Sequence, residues 1–369
     1  MKRILIVTEY NLTSLGGIQK VISDITTRLH KKYIFDAVVF EKMDESQKNR
    51  FTQFNEIFCI PCNISSRKGI GRLKECILRP LRIKSALSKI IKKNYYDVIH
   101  CHDVLKGGYA LEIAYKNDIK IRICQAHNPR VTYHSNILKN CYYNHMKRKI
   151  KYSNVKIGVS ELAARSIFNN QKYIVIRNGI DLDNFNLGNF VSKKKNDYIN
   201  FIHVGRFTFQ KNHTFLLEVF SLIHNRIKHT SLKLVGWGED ESKIRQYIGD
   251  NKLDDCVTLL AGDSDVPKLM SSADYMIFPS RYEGLGIVLL EAQAMNIMCF
   301  ASDVITSEIK DIGLCEMLPL SLGAAAWANY IIDFINNSKR NHYHLNKDVL
   351  NEFNINNVVK KYEDVYEFR

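Results

Sequence analysis

A chain of 369 residues, 46% hydrophobic and 25% charged, excludes a disordered or fibrous protein and exceeds the size at which one core keeps growing, so two domains of roughly 180 residues are expected. The net charge of +15 is uneven: through Leu182 there are 33 Lys and Arg against 14 Asp and Glu, leaving 20 against 24 in the remainder, so the halves carry about +19 and −4. That imbalance calls for an anionic partner beside the first half: nucleic acid, anionic lipid headgroups or a phosphorylated substrate.

The opening Met1-Lys-Arg-Ile-Leu-Ile-Val-Thr-Glu9 has two basic residues but only a four-residue apolar run, which reads as a first strand and not a secretory leader. With nine cysteines scattered over the chain, it describes a cytoplasmic protein with reduced thiols. Leu15-Gly16-Gly17 follows, and then Ile18, Val21, Ile22, Ile25 and Leu29 at helical spacing. Strand, glycine pair and helix in that order suit close approach of a phosphate. The Gly-x-Gly-x-x-Gly fingerprint is absent, which disfavours a dinucleotide oxidoreductase.

Phe35 to Phe40 and Glu56 to Ile60 read as further strands. Between Arg67 and Lys93 lie ten Lys or Arg and one acid, Glu75, interleaved with apolar residues. This is an amphipathic segment interrupted by Pro80, which is expected to start a second helix at its first turn; its basic face is either solvated or laid on anionic lipid. Asp97-Val-Ile-His-Cys-His-Asp103 ends a strand with His100 and His102 on one face. Together with Cys59-Ile-Pro-Cys62 these histidines suggest zinc, but the spacing is not that of a ligand set, so no metal is expected. Ile121 to Ala126 is a strand ending at His127. No acid occurs from Ile119 through Ser160, while Arg130, Lys147 and Arg148 are among the cations mixed there with Tyr133, Tyr142, Tyr143 and Tyr152. Such a mixture fits RNA, or an anionic substrate held at the C-terminal end of the strand.

Val155 to Ser160 and Tyr173 to Ile176 close a first sheet, and Asn178-Gly179 is a turn pair. Val191 to Asp197 is a polar linker. A second sheet starts with Tyr198 to Val204 and runs into Gly205-Arg-Phe-Thr-Phe-Gln-Lys-Asn-His213 before a helix. Arg206 supplies a fork for phosphate oxygens and Lys211 a point charge, a pair suited to a diphosphate. Leu232 to Gly238, Val257 to Ala261, Tyr275 to Phe278 and Met298 to Ala301 continue strand after strand. The longest charge-free apolar stretch, Met317 to Ile332, contains Pro319, Gly323 and Asn329, so no membrane-spanning helix is expected.

The chemistry is expected in Ser280-Arg-Tyr-Glu-Gly-Leu-Gly-Ile-Val-Leu-Leu-Glu-Ala292. A strand stopped by Pro279 leads to Glu283 in a turn. Gly284, Leu285 and Gly286 bring the backbone close to a ligand, and the helix beginning at Ile287 aims its positive end at the same turn. Glu291 stands about 7.5 Å up that helix from Gly286 and, set among Leu289, Leu290 and Ala292, needs a hydroxyl, amide or cation to satisfy it.

The two glutamates eight positions apart resemble the Glu-x7-Glu signature of retaining glycosyltransferases of the GT-B group, in the family 4 (glycosyl transferases group 1) type and nearest its bacterial exopolysaccharide and capsule members. Gly205-Arg206 with Lys211-Asn212, Leu234-Val-Gly-Trp-Gly238, Asn178-Gly-Ile-Asp181, Ala126-His-Asn128 and Ala301-Ser-Asp303 resemble further motifs of that family, in the same order. In place of the proline that usually precedes the Asn-Gly hinge this chain has Arg177. The resemblance implies an α/β fold of the GT-B type, two Rossmann-like doubly wound domains facing across a cleft. The boundaries expected are 1–182 for an acceptor domain, 183–198 for a linker, 199–350 for a nucleotide-sugar domain, and 351–369 for a C-terminal helix crossing back.

By the same resemblance, Arg206 and Lys211 hold the leaving diphosphate, Glu291 takes the ribose hydroxyls, Glu283 orients the donor sugar, and His127 faces that sugar. His127, Glu283, Arg206 and Lys211 are thus the catalytic candidates. Gly16, Gly17, Gly284, Leu285, Gly286 and Glu291 join the donor set, and Arg130, Lys147 and Arg148 are assigned to the acceptor. No carboxylate stands out as a nucleophile, so same-face attack on an oxocarbenium-like centre is expected, the departing phosphate accepting the acceptor's proton in a dry cleft without a metal cofactor. The donor expected is a UDP sugar. The basic first half implies a glycan acceptor on a polyprenyl pyrophosphate and attachment to the anionic inner face of the plasma membrane. A sugar-nucleotide epimerase of the same shape would use the same diphosphate site without an acceptor, and a binding protein for RNA or anionic membrane would leave the ordered motifs unexplained.

Overall fold

The computed structural model describes residues 1–9, 11–13, 16–61, 70–102, 104–129, 137–190, 198–337 and 342–368. The chain forms two compact units, one of Met1–Arg177 with Val359–Arg369 and one of Asn178–Val358.

The first unit is built on seven parallel strands: β1 (Arg3–Thr8), β2 (Ile34–Val39), β3 (Phe54–Cys59), β4 (Val98–Cys101), β5 (Ile121–Ala126), β6 (Val155–Gly158) and β7 (Ile174–Val175), in the order β3-β2-β1-β4-β5-β6-β7. Between them run α1 (Gly17–Leu29), α2 (Glu45–Lys48), α3 (Ile70–Asn94), α4 (Val104–Lys116), α5 (Ile137–Lys147) and α6 (Glu161–Phe168). The run Ile4-Leu-Ile-Val7 lacks alternation because β1 is central and buried on both faces. Leu5 and Val7 share a core with Val38, Ile99, Leu87, Leu111 and Phe168.

Pro80 does not divide the basic segment: α3 is one helix of 25 residues with the proline inside it. A proline removes one backbone donor, and the buried stripe Ile83, Leu87 and Ile91 that follows it anchors the helix to the core. Leu78 and Leu81 stay exposed on its other side.

The second unit repeats the plan with six parallel strands: β8 (Ile199–Val204), β9 (Thr230–Val235), β10 (Val257–Leu260), β11 (Tyr275–Phe278), β12 (Met298–Ser302) and β13 (Cys315–Leu318), in the order β10-β9-β8-β11-β12-β13. Its helices are α7 (His213–Arg226), α8 (Glu241–Asp250), α9 (Val266–Met270), α10 (Ile287–Ala294), α11 (Gly323–Asn336) and α12 (Lys347–Glu352). Phe201, Phe220, Ile277, Phe300 and the fully buried Trp327 lie in its core. Strand β13 has no clear sequence signal, because it is four residues long, includes Glu316 and merges into the apolar run that becomes α11.

The last helix, α13 (Ile355–Glu367), begins in the second unit, where the Ile355 amide donates to the Ile180 carbonyl at 2.9 Å, and passes into the first unit after Val358. There it buries Tyr362 and Tyr366 completely. In each sheet the chain reverses its direction of travel once, between β1 and β4 and between β8 and β11. At such a point the loops leaving adjacent strands diverge and open a crevice at the carboxyl ends, where open α/β sheets take their ligands.

Candidate active site

The second unit's reversal point is formed by the loops that leave β8 and β11, and these loops are tied to each other. The Arg281 amide donates to the Gln210 carbonyl at 2.8 Å, and the Gln210 side chain donates to the Tyr282 carbonyl at 2.9 Å. Asn212, in a left-handed conformation, donates to the Pro279 carbonyl at 3.2 Å and accepts from the Arg281 guanidinium at 2.7 Å. The lacing sets Lys211 against Glu283, with Nζ 2.7 Å from Oε1, both side chains nearly buried. The ammonium also lies 4.4 Å from the centre of the Phe278 ring. Gly205 leaves room for this lysine: a Cβ there would sit 2.9 Å from Lys211 Cε.

Arg206 is half-buried on the same loop and has no hydrogen bond or ion pair among the described residues. Glu283 is buried and not a solvated loop acid, and Gly284 and Leu285 are buried after it. Gly286 takes φ 81° as the N-cap of α10, a backbone conformation that favours glycine. Glu291 is buried within α10. The structure therefore gathers Arg206, Lys211, Glu283, Gly284, Leu285, Gly286 and the helix bearing Glu291 around the exits of two neighbouring strands.

Two histidines behind Lys211 carried no assignment from the sequence. His203 donates from Nδ1 to the Ile277 carbonyl at 2.9 Å, while its Nε2 and both nitrogens of His213 are buried without partners among the described residues. Burial, reinforced by the neighbouring His213 ring and the Lys211 ammonium, pushes His203 well below the usual imidazole range, and burial pushes His213 down to about 4. Both rings are neutral, so the positive charge of this loop belongs to Arg206 and Lys211. Their only sequence signal was a histidine inside an apolar strand and another opening a helix. A further constraint comes from Gly236, where a Cβ would fall 2.1 Å from the Gly205 carbonyl oxygen.

The first unit places a different set of groups at its own reversal point. Gly16 and Gly17 form the start of α1 after β1, and Gly16 is extended. Thr8 ends β1 with its hydroxyl buried and unpartnered among the described residues. Next to β1, His100 and His102 stack at 4.0 Å between ring centres. His102 Nδ1 is 2.9 Å from Nε2 of His127, which lies just past β5. His100 Nε2 pairs with Gln125 Oε1 at 2.7 Å and its Nδ1 with the Tyr366 hydroxyl at 2.9 Å, while the Gln125 amide donates to the Tyr362 hydroxyl at 2.7 Å. Desolvation lowers all three imidazoles, His100 and His127 to about 3, and His102 is lowered further by its two neighbours.

Of the acceptor candidates, Lys147 and Arg148 do not join this cluster. Lys147 donates to the Ser166 carbonyl and to Asn169 Oδ1, both at 3.3 Å, at the end of α6. Since α6 runs back from the end of β6 toward the start of β7, that contact lies at the edge of the sheet opposite His127. Arg148 is exposed at the turn leading into β6. Arg130 and Cys62 lie outside the described residues. Among the described residues no group of three or more His, Cys, Asp or Glu is arranged to hold a metal ion.

Residues 15–184 match the family model Glycosyltransferase Family 4, and residues 187–344 match Glycosyl transferases group 1. The chain is a glycosyltransferase of this family. The capsular polysaccharide biosynthesis glycosyltransferase CapH of Staphylococcus aureus is 25% identical over 75% of this chain and 79% of its own length. The Escherichia coli enzyme UDP-Gal:alpha-D-GlcNAc-diphosphoundecaprenol alpha-1,3-galactosyltransferase is 25% identical over 62% and 63%. The crystal structure of Anabaena HepE in complex with UDP and glucose covers all of both chains with a TM-score of 0.78 at 13% identity, a likeness that shows the fold. This glycosyltransferase thus has the GT-B pair of Rossmann-like domains, and its S. aureus relative is named for capsular polysaccharide biosynthesis.

Proposed function

We propose that this glycosyltransferase moves a sugar, with retention of anomeric configuration, from a UDP sugar to a hydroxyl of a lipid-linked glycan in surface polysaccharide synthesis. The observation that carries the reading is the Lys211–Glu283 pair beside an Arg206 that has no protein partner among the described residues. Arg206 and Lys211 take the diphosphate, Glu291 the ribose hydroxyls, and Glu283 a hydroxyl of the sugar. As the bond from C1 to the β-phosphate oxygen breaks, the electron pair leaves with the diphosphate and the two cations stabilise the charge where it develops. The acceptor oxygen bonds to C1 from the face the phosphate is leaving, and its proton passes to a departing phosphate oxygen. His127 hydrogen-bonds a hydroxyl of the sugar, and the cations supply the positive charge a divalent ion would otherwise give.

The acceptor reading draws on the E. coli relative, whose name specifies a diphosphoundecaprenol-linked sugar, and on the basic first half. Arg79, Arg82, Lys89, Lys92 and Lys93 share α3 with the exposed Leu78 and Leu81, a combination suited to an anionic headgroup layer. No helix among the described residues is long and apolar enough to cross a membrane.

The test incubates the full-length protein with UDP-galactose, UDP-glucose or UDP-N-acetylglucosamine and undecaprenyl-pyrophosphate-linked N-acetylglucosamine, reading UDP release and the anomeric proton coupling of the product. Acceptor-dependent release with retained configuration, unchanged by chelator, is the expected result. An inverted product would overturn retention, and a new sugar nucleotide formed without acceptor would replace transfer by epimerisation.

A further inference from the structure

We infer that His102 is a positioning residue for His127: it holds that ring as the tautomer protonated on Nδ1, so that the nitrogen left for a substrate is a hydrogen-bond donor. The inference rests on the reading of His127 as part of the transfer site and adds a residue that reading did not include.

His102 is held from several sides. Its amide donates to the Val7 carbonyl at 2.8 Å, which fixes the backbone against β1. Its ring lies between those of His100 and His127, tilted 29° and 28° from them. His100 cannot turn freely, because Gln125 and Tyr366 occupy both its nitrogens and Tyr362 holds Gln125. His102 therefore has one orientation, with Nδ1 aimed at His127 Nε2.

At 2.9 Å only one proton can stand between those two nitrogens, and each ring, neutral at ordinary pH, carries one proton. Two arrangements satisfy the contact. In one, His127 donates from Nε2; His102 then carries its own proton on Nε2, which is buried and has no acceptor among the described residues. In the other, His102 donates from Nδ1 and leaves only a lone pair at that buried position. A buried N–H without an acceptor is the rarer state by the pattern of backbone groups, so the second arrangement is the one adopted. His127 then accepts at Nε2 and carries its proton on Nδ1, which has no protein partner among the described residues. A neutral donor at a strand's carboxyl end can hold a sugar hydroxyl oxygen without changing its charge during the reaction.

The test uses full-length protein labelled with 15N-histidine, with the His127 signals assigned by their loss in His127→Gln. The wild type should show a neutral His127 protonated on Nδ1 at pH 7. In His102→Phe the same ring should move to the Nε2-protonated form, and hydrolysis of UDP-glucose should lose about tenfold in kcat with KM held within about twofold. His102→Asn, whose amide can donate from near the former Nδ1, should restore the tautomer and most of kcat. A wild-type His127 protonated on Nε2, an unchanged His127 spectrum in His102→Phe, or an Asn variant as impaired as Phe would overturn the inference. A wild type that neither binds nor hydrolyses any UDP sugar would instead overturn the transferase donor reading, and the tautomer would still decide the role of His102.

Discussion

Replacing Glu283 by Gln keeps the size of the side chain and removes the charge facing Lys211. At 2.7 Å and an effective dielectric constant near 20 the gross attraction is about 6 kcal/mol. Desolvation of both groups offsets part of it, and a glutamine oxygen can still accept from the ammonium, so the net loss should be about 3 kcal/mol. The second unit runs from Asn178 to Val358, for which that loss lowers Tm by about 6 to 12 °C. Both tryptophans, Trp237 and Trp327, belong to this unit, so tryptophan fluorescence during thermal unfolding reads it without the other. Saturating UDP should recover much of the loss, because the diphosphate gives Lys211 a new anion, and Lys211→Met/Glu283→Gln should be more stable than Glu283→Gln alone. A Tm within about 1 °C of wild type for Glu283→Gln, or a double variant that loses the sum of both single effects, would refute the view that the glutamate offsets a buried cation until substrate arrives.

Arg206→Ala should change stability by no more than about 0.5 kcal/mol, since the guanidinium has no partner among the described residues, yet abolish the stabilisation given by UDP; fluorescence melts with and without ligand check both. Gly236→Ala, which would press a methyl group onto the Gly205 carbonyl, should lower the second unit's stability by about 2 kcal/mol or more and weaken UDP binding together, as urea titration and calorimetry would show. Asp36 is fully buried and takes hydrogen bonds from Arg3, Tyr96 and Asn55, so Asp36→Ala should destabilise the first unit by about 3 kcal/mol, measured by far-UV circular dichroism against urea. The folded-state pKa values of His100 and His127 lie near 3, below the usual 6.5. The unfolded chain therefore binds more protons in between; their contribution to stability is complete above about pH 6.5 and is lost as pH falls toward 3, by about 2 kcal/mol per ring at pH 5. Urea midpoints that stay level from pH 7 to pH 5 would contradict their burial as neutral groups.

Much of this organisation was legible because parallel strands buried on both faces write themselves as continuous apolar runs, as in Ile4-Leu-Ile-Val7 and Tyr275-Met-Ile-Phe278. Arg206, Lys211 and Glu283 could each be placed beyond such a run, where ligands approach an open sheet, and the family resemblance joined them into one group. The direct bond between Lys211 and Glu283 was not legible, because it depends on β8 and β11 being neighbours despite two intervening strands in sequence. The same non-local order hid the histidine cluster: His100 and His102 were visible as one strand face, but their contact with His127 comes from β4 pairing β5. Lys147 and Arg148 could not be placed in this way. A run of cations has no periodicity that tells which end of a sheet it reaches, and here α5 carries Lys147 to the edge away from His127. Pro80 within α3 and the short β13 were settled by packing that local propensity does not encode.

The central claim, that the second unit binds a nucleoside diphosphate at the loops after β8 and β11, is tested most directly by tryptophan-monitored unfolding against UDP, GDP, ADP and CMP. One diphosphate at about 100 times its Kd should stabilise the protein by about 2.7 kcal/mol, and Arg206→Ala and Glu291→Ala should each remove that gain. No stabilisation by any of the four nucleotides, or a gain that survives both substitutions, would contradict the account.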